Sequence, residues 1–148
     1  MNHLFEDFYI QIAETRRSYD AAELAGDRAG MDAARAQHKA LTAALNGQGK
    51  SFGLVYHLFE QARERGNKRL DLNDCLWDSE IADIISAFRA NGVEEFTFSS
   101  RWSDAVETAW LFLRNGCRLE GLIEINGTSK DFSTGEYEKV HGYLFSLT

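Results

Sequence analysis

Proline is absent from all 148 residues, where ordinary usage of about 5% predicts roughly seven. That excludes a Pro-rich linker or stalk and leaves room for long uninterrupted helices. Cysteine is scarce. Cys75 and Cys117 stand far apart, with no CxxC and no histidine at metal-ligand spacing, so two buried free thiols in a reducing compartment are expected. No apolar run approaches the ~18 residues of a membrane span; Ala109 to Leu113 is five residues long. The opening stretch, Met1 to Ile12, carries Glu6 and Asp7 and no Lys or Arg, unlike a secretory or transit segment. A cytoplasmic location is therefore expected. Positive charge is also in deficit, with 16 Lys and Arg against 23 Asp and Glu, a net charge of −7. This balance argues against coating nucleic acid or an anionic membrane.

What is present suits one α+β domain over 1–148. Apolar residues at 44% and aromatics at 12% supply a single core,. Leu4, Phe8, Ile12, Thr15, Tyr19 and Ala22 recur at helical spacing and predict a helix over 3–25. Gly26 then stands where a helix C′ glycine belongs, and Asp27 where the next helix needs a cap. Met31, Ala34, His38, Leu41 and Leu45 continue the period to Asn46-Gly47, which makes residues 1–47 an antiparallel helical hairpin. A connecting helix follows over 51–66, with Leu54, Val55, Leu58, Phe59 and Ala62 on one face. The sheet-containing part occupies 78–148. Asp78 can cap a helix facing inward with Ile81, Ile84, Ile85 and Phe88. Strands are predicted at Phe96–Ser99, Arg118–Ile125 and Val140–Leu147, about three in all, the last two antiparallel across a 126–138 loop opened by the Asn126-Gly127 turn signal. Between the first two strands, Ser100 is expected to cap a helix over 101–115 whose apolar face includes Trp102, Ala105, Val106, Ala109, Trp110 and Leu113.

Motifs that would carry chemistry fall short. Gly49-Lys50-Ser51 matches the tail of a phosphate loop, but its first glycine would fall on Ala44 and what precedes is helical. The acidic stretch from Asp71 resembles the start of a calcium loop and fails at Leu76 and Ala82. His3, His38, His57 and His141 are scattered singly, and no metal site is expected. Nothing supplies a nucleophile with its base or a paired-carboxylate site, so no enzyme and no cofactor are expected. A deep pocket lined by His57 or His141 together with Arg101 and a carboxylate would favour an enzyme instead.

Two clusters remain. The basic run Arg63, Arg65, Lys68 and Arg69 is followed at once by Asp71, Asp74, Asp78 and Glu80 around Trp77. These acids and Trp77 are the candidate partner-binding residues, although Trp77 also suits a hydrophobic staple ahead of a helix. Ser99, Ser100, Arg101 and Ser103 lie where a strand gives way to a helix, so they are candidate anion-binding residues, with plain capping as the simpler role.

The block Phe96-Thr97-Phe98-Ser99-Ser100-Arg101-Trp102-Ser103-Asp104-Ala105-Val106-Glu107-Thr108-Ala109-Trp110, with the ending from Tyr137 through His141-Gly142 to Phe145, resembles a group of small uncharacterised proteins of plasmids, prophages and conjugative elements of Gram-positive gut bacteria. That group brings no assigned activity. The resemblance implies a context in which accessory proteins bind host machinery, including as inhibitors of defence systems. The expected function is accordingly a non-enzymatic protein-binding module, an anti-CRISPR-like inhibitor of a host nuclease or defence complex. A homodimer through the helical hairpin and an anion-binding protein using the helix start at Ser100 are the alternatives.

Overall fold

Among the described residues the elements follow one another in the order α1 (His3–Leu24), α2 (Arg28–Asn46), α3 (Phe52–Arg65), β1 (Leu70–Asn73), a 3-10 turn (Asp78–Glu80), α4 (Ile81–Ala90), β2 (Glu95–Ser99), α5 (Ala105–Arg114), β3 (Arg118–Lys130) and β4 (Tyr137–Ser146). The structure, a computed structural model, describes residues 3–48, 51–73 and 78–147. The chain divides into two compact units, Met1–Gly53 and Leu54–Thr148, and the break falls in the first turn of α3. The α+β class holds, with helices first and a sheet after them.

The first unit is the helical hairpin read from the apolar period. Gly26 takes φ +67°, the left-handed conformation that ends a helix without Cβ strain. Asp27 donates its N–H to the Ala22 carbonyl at 2.8 Å, and its carboxylate accepts from the Gly30 N–H at 3.0 Å as the cap of α2. Phe5, Phe8, Ile12 and Leu45 are buried, and the Phe52 ring lies 5.2 Å from Phe5. The Thr15 hydroxyl, buried among them, donates back to the Gln11 carbonyl at 2.7 Å, which removes the cost of burying a polar group,.

The second unit is a mixed four-stranded sheet in the order β1-β2-β4-β3. β1 and β2 are parallel, joined through α4, while β2–β4 and β3–β4 are antiparallel. Leu70 and Leu72 pair with Phe96 and Phe98, so their side chains share one face. On that face Phe96 meets Phe88 of α4 at 5.1 Å, Phe112 of α5 at 5.2 Å and Phe145 at 5.4 Å. All four rings are fully buried. This phenylalanine cluster is the core that holds α4 and α5 on the sheet.

Four expectations require correction. The sheet has a fourth strand, β1, where the sequence shows an acidic stretch; Leu70 and Leu72 supply the alternation, and Asp71 points to the opposite face. The helix expected from Asp78 begins as a 3-10 turn, and α4 starts at Ile81 after Glu80, which makes no side-chain cap bond. α5 starts at Ala105 rather than Arg101, because the Ser100 oxygen accepts the Trp102 N–H at 3.0 Å and closes a turn there,. Finally, Asn126-Gly127 is not a turn but lies inside β3, at an irregularity in the pairing with β4. The chain reverses at 131–136, where Gly135 has φ +74° and the Asp131 carboxylate accepts from the Ser133 N–H and hydroxyl at 2.8 and 2.6 Å. Those bonds hold the Asp131 carboxyl below the usual carboxylate range. Asn126 is occupied elsewhere: its N–H and C=O pair with the Asn67 side-chain amide, both at 2.9 Å. A Cβ at Gly127 would approach Glu138 Cγ to 2.9 Å and Val140 Cγ1 to 3.0 Å, so a side chain there would have to displace its cross-strand neighbours.

Candidate functional site

α5 is a ten-residue helix with one buried side chain, Phe112, whose ring sits 5.1–5.4 Å from those of Phe96, Phe98 and Phe145. Its C-terminal end is held from α4: the Arg89 guanidinium donates to the Asn115 and Gly116 carbonyls at 3.3 and 3.4 Å. A cation there also complements the negative end of the helix dipole. Gly116, at φ +86°, terminates the helix and turns the chain to buried Cys117. Burial pushes the Cys117 thiol up to about 11, against the opposing pull of Arg89.

With Phe112 and Arg89 fixing one side, the other side of the segment faces solvent. Trp102, Val106, Trp110 and Leu113 are 66%, 68%, 57% and 38% exposed. Spacings of four and three put Val106, Trp110 and Leu113 on one stripe of α5, with Trp102 in the turn just ahead of it,. Leu119 and Leu122 of β3, also exposed, pair with Phe145 and Tyr143 and so share the sheet face on which α5 packs. Acidic Asp104 and Glu107 lie at the start of the stripe, and Arg114 and Arg118 at its end. Trp102, Val106, Trp110 and Leu113 were expected on the apolar face of this helix together with Ala105 and Ala109. Val106, Trp110 and Leu113 do share a helix face, but that face is turned to solvent, and Trp102 lies in the turn before α5. With Phe112 beside them, these residues give the helix more apolar surface than one neighbour needs.

The acidic partner-binding set does not assemble as a surface among the described residues. Asp71 is 4% exposed, and its carboxylate accepts from the Thr97 and Ser99 hydroxyls at 2.6 and 2.7 Å. A carboxylate held this way belongs to the interior of the sheet, as a correction to its expected surface role. Asp74 and Trp77 lie outside the described residues, as does the Asp78 side chain. Glu80 is exposed.

The anion candidates are brought partly together. Ser99, Ser100 and Arg101 line a pocket of about 210 Å³ with Asn73, Glu138 and His141, beyond the carboxyl ends of parallel β1 and β2. That is where open α/β sheets place ligands. It joins Arg101, His141 and a carboxylate, the combination named as favouring an enzyme. Within it Arg101 is paired with Glu138 at 2.5 Å and Ser99 with Asp71, which leaves neither as a free anion ligand. Ser103 is exposed in the turn before α5. His57 sits on the exposed side of α3 beside Gln61 and Glu60, and exposed His38 lines a groove between α1 and α2. Among the described residues no group of His, Cys, Asp and Glu is placed to hold a metal ion, and no helix is long and apolar enough to cross a membrane.

A family model, described as a domain of unknown function, DUF7698, matches residues 54–147. The chain belongs to the DUF7698 family. The match covers the second compact unit almost end to end, so the sheet, the phenylalanine cluster and the α5 stripe lie within the matched span, while the helical hairpin lies outside it. No curated protein and no solved structure matches the chain.

Proposed function

We propose that this DUF7698 protein is a non-enzymatic protein-binding module whose contact surface is the exposed stripe of α5. The carrying observation is the pair Trp102 and Trp110, more than half exposed, with Val106 and Leu113 between and beyond them. Soluble proteins seldom leave such a contiguous apolar patch uncovered, and tryptophan is the residue type most enriched at interface hot spots. The spacing suits a helix laid into a partner's apolar groove. Acids at one end of the stripe and bases at the other fix the direction in which it lies. The resemblance of 96–110 to accessory proteins of mobile elements extends the reading to an inhibitor that occupies a host nucleic-acid-handling or defence complex.

A Trp102→Ser, Trp110→Ser double variant tests this reading in capture from a lysate, compared with wild type and with Lys130→Gln as a control. Truncating a hot-spot tryptophan costs about 2 kcal/mol or more of binding, so the double variant should lose the captured protein while its circular dichroism stays native. Equal capture by the double variant overturns the proposal.

Self-association is a second reading, favoured by the charge polarity of the stripe. Two α5 helices packed antiparallel would set Asp104 and Glu107 against Arg114 and Arg118 of the other copy. Light scattering across a concentration series separates the two readings: a dimer abolished by the double variant supports self-association, and a monomer throughout excludes it.

A further inference from the structure

A second cleft in the DUF7698 unit, distinct from the α5 stripe, has a volume of about 390 Å³, within the range of small-molecule sites. Lys68 and Arg69, ahead of β1, and Lys139 of β4 line it together. Each retains donor capacity. The Arg69 Nε donates to Glu95 at 2.6 Å, which leaves its terminal nitrogens. Lys139 donates one hydrogen to the Asn126 side-chain oxygen and keeps two. Lys68 has no partner among the described residues. Against these cations stand two carboxylates, Glu124 of the cleft and Glu95, which already pairs with Arg69. A small excess of positive charge remains here in a chain whose net charge is −7.

The cradle is also preorganised. The Asn67 amide clasps both backbone groups of Asn126, which ties the segment bearing Lys68 and Arg69 to β3. The remaining wall is apolar, formed by Ile123 and Ile125 of β3. We propose that this cleft binds a small phosphorylated molecule, its phosphate held by Lys68 and the free terminal nitrogens of Arg69 and its apolar body lying on Ile123 and Ile125. Prior fixing of the loop lowers the ordering cost of binding, and the cationic lining makes the affinity fall with added salt.

The test is an amide-resolved NMR titration of the full chain with inorganic phosphate and with phenyl phosphate. Both probes should saturate shifts at Asn67, Lys68, Arg69 and Lys139. Phenyl phosphate should bind more tightly and add shifts at Ile123 and Ile125. Lys68→Glu, a change at an unpaired surface cation, should weaken both probes at least about tenfold, while Lys130→Gln, outside the cleft, leaves them unchanged. The proposal is overturned if no shift saturates, if Lys68→Glu binds as wild type, or if Lys130→Gln weakens binding equally. Phosphate binding without any gain from the phenyl ring overturns the apolar-body assignment. The outcome is independent of the α5 stripe, which shares no residue with the cleft.

Discussion

Replacing Phe112 with alanine removes the only buried side chain of α5. The ring is fully buried and lies within 5.4 Å of three other phenylalanine rings. Truncating such a residue costs about 3–5 kcal/mol, from lost transfer energy and the cavity left behind. That is a large share of the about 5–15 kcal/mol that holds a typical domain folded. The Trp102→Ala, Trp110→Ala double variant deletes more atoms, yet from side chains mostly in water, so its cost should stay near or below about 1 kcal/mol. Urea denaturation measures both. Trp77, Trp102 and Trp110 all lie beyond residue 53, so tryptophan emission follows the second unit alone in Phe112→Ala, and circular dichroism follows the double variant. A loss below about 1 kcal/mol for Phe112→Ala would refute the anchoring role of the ring. A loss in the double variant equal to that of Phe112→Ala would show the stripe buried in solution, and the proposed interface would fall with it.

Three further outcomes are expected. Cys117, with its thiol raised from 9.0 to about 11 by burial, should react with iodoacetamide at pH 8 far more slowly than an unfolded control, read in a Cys75→Ser background; because its folded value is the higher one, its contribution to stability is intact below pH 9 and is lost as pH rises through about 11. Equal alkylation rates would contradict its burial. Asn67→Ala strips two bonds from the Asn126 backbone and should cost about 1–3 kcal/mol, with faster hydrogen exchange at the Asn126 amide; unchanged exchange would mean that the clasp does not form. Asp71→Ala leaves the buried Thr97 and Ser99 hydroxyls without their acceptor and should cost about 1–3 kcal/mol, more than Asp71→Asn, which keeps one acceptor; a neutral Asp71→Ala would place that carboxylate in water.

Local periodicity and end signals determined much of this protein. The α1–α2 hairpin follows from the 3.6-residue period and from Gly26 and Asp27, whose effects act within one turn of chain. β3 and β4 follow from alternation, and their antiparallel pairing from proximity along the chain. Partners distant in sequence decided the rest. Asp71 reads as a surface acid until β2 arrives beside β1 and supplies two hydroxyls from residues 26 and 28 positions away. Asn126-Gly127 carries the composition of a turn, but Asn67, 59 positions earlier, takes the backbone bonds that a turn would use. The α5 stripe makes the same point for packing. An apolar period shows that a helix has a face to bury, whereas which of two faces meets the sheet depends on where Phe96, Phe98 and Phe145 converge, and here they converge on Phe112.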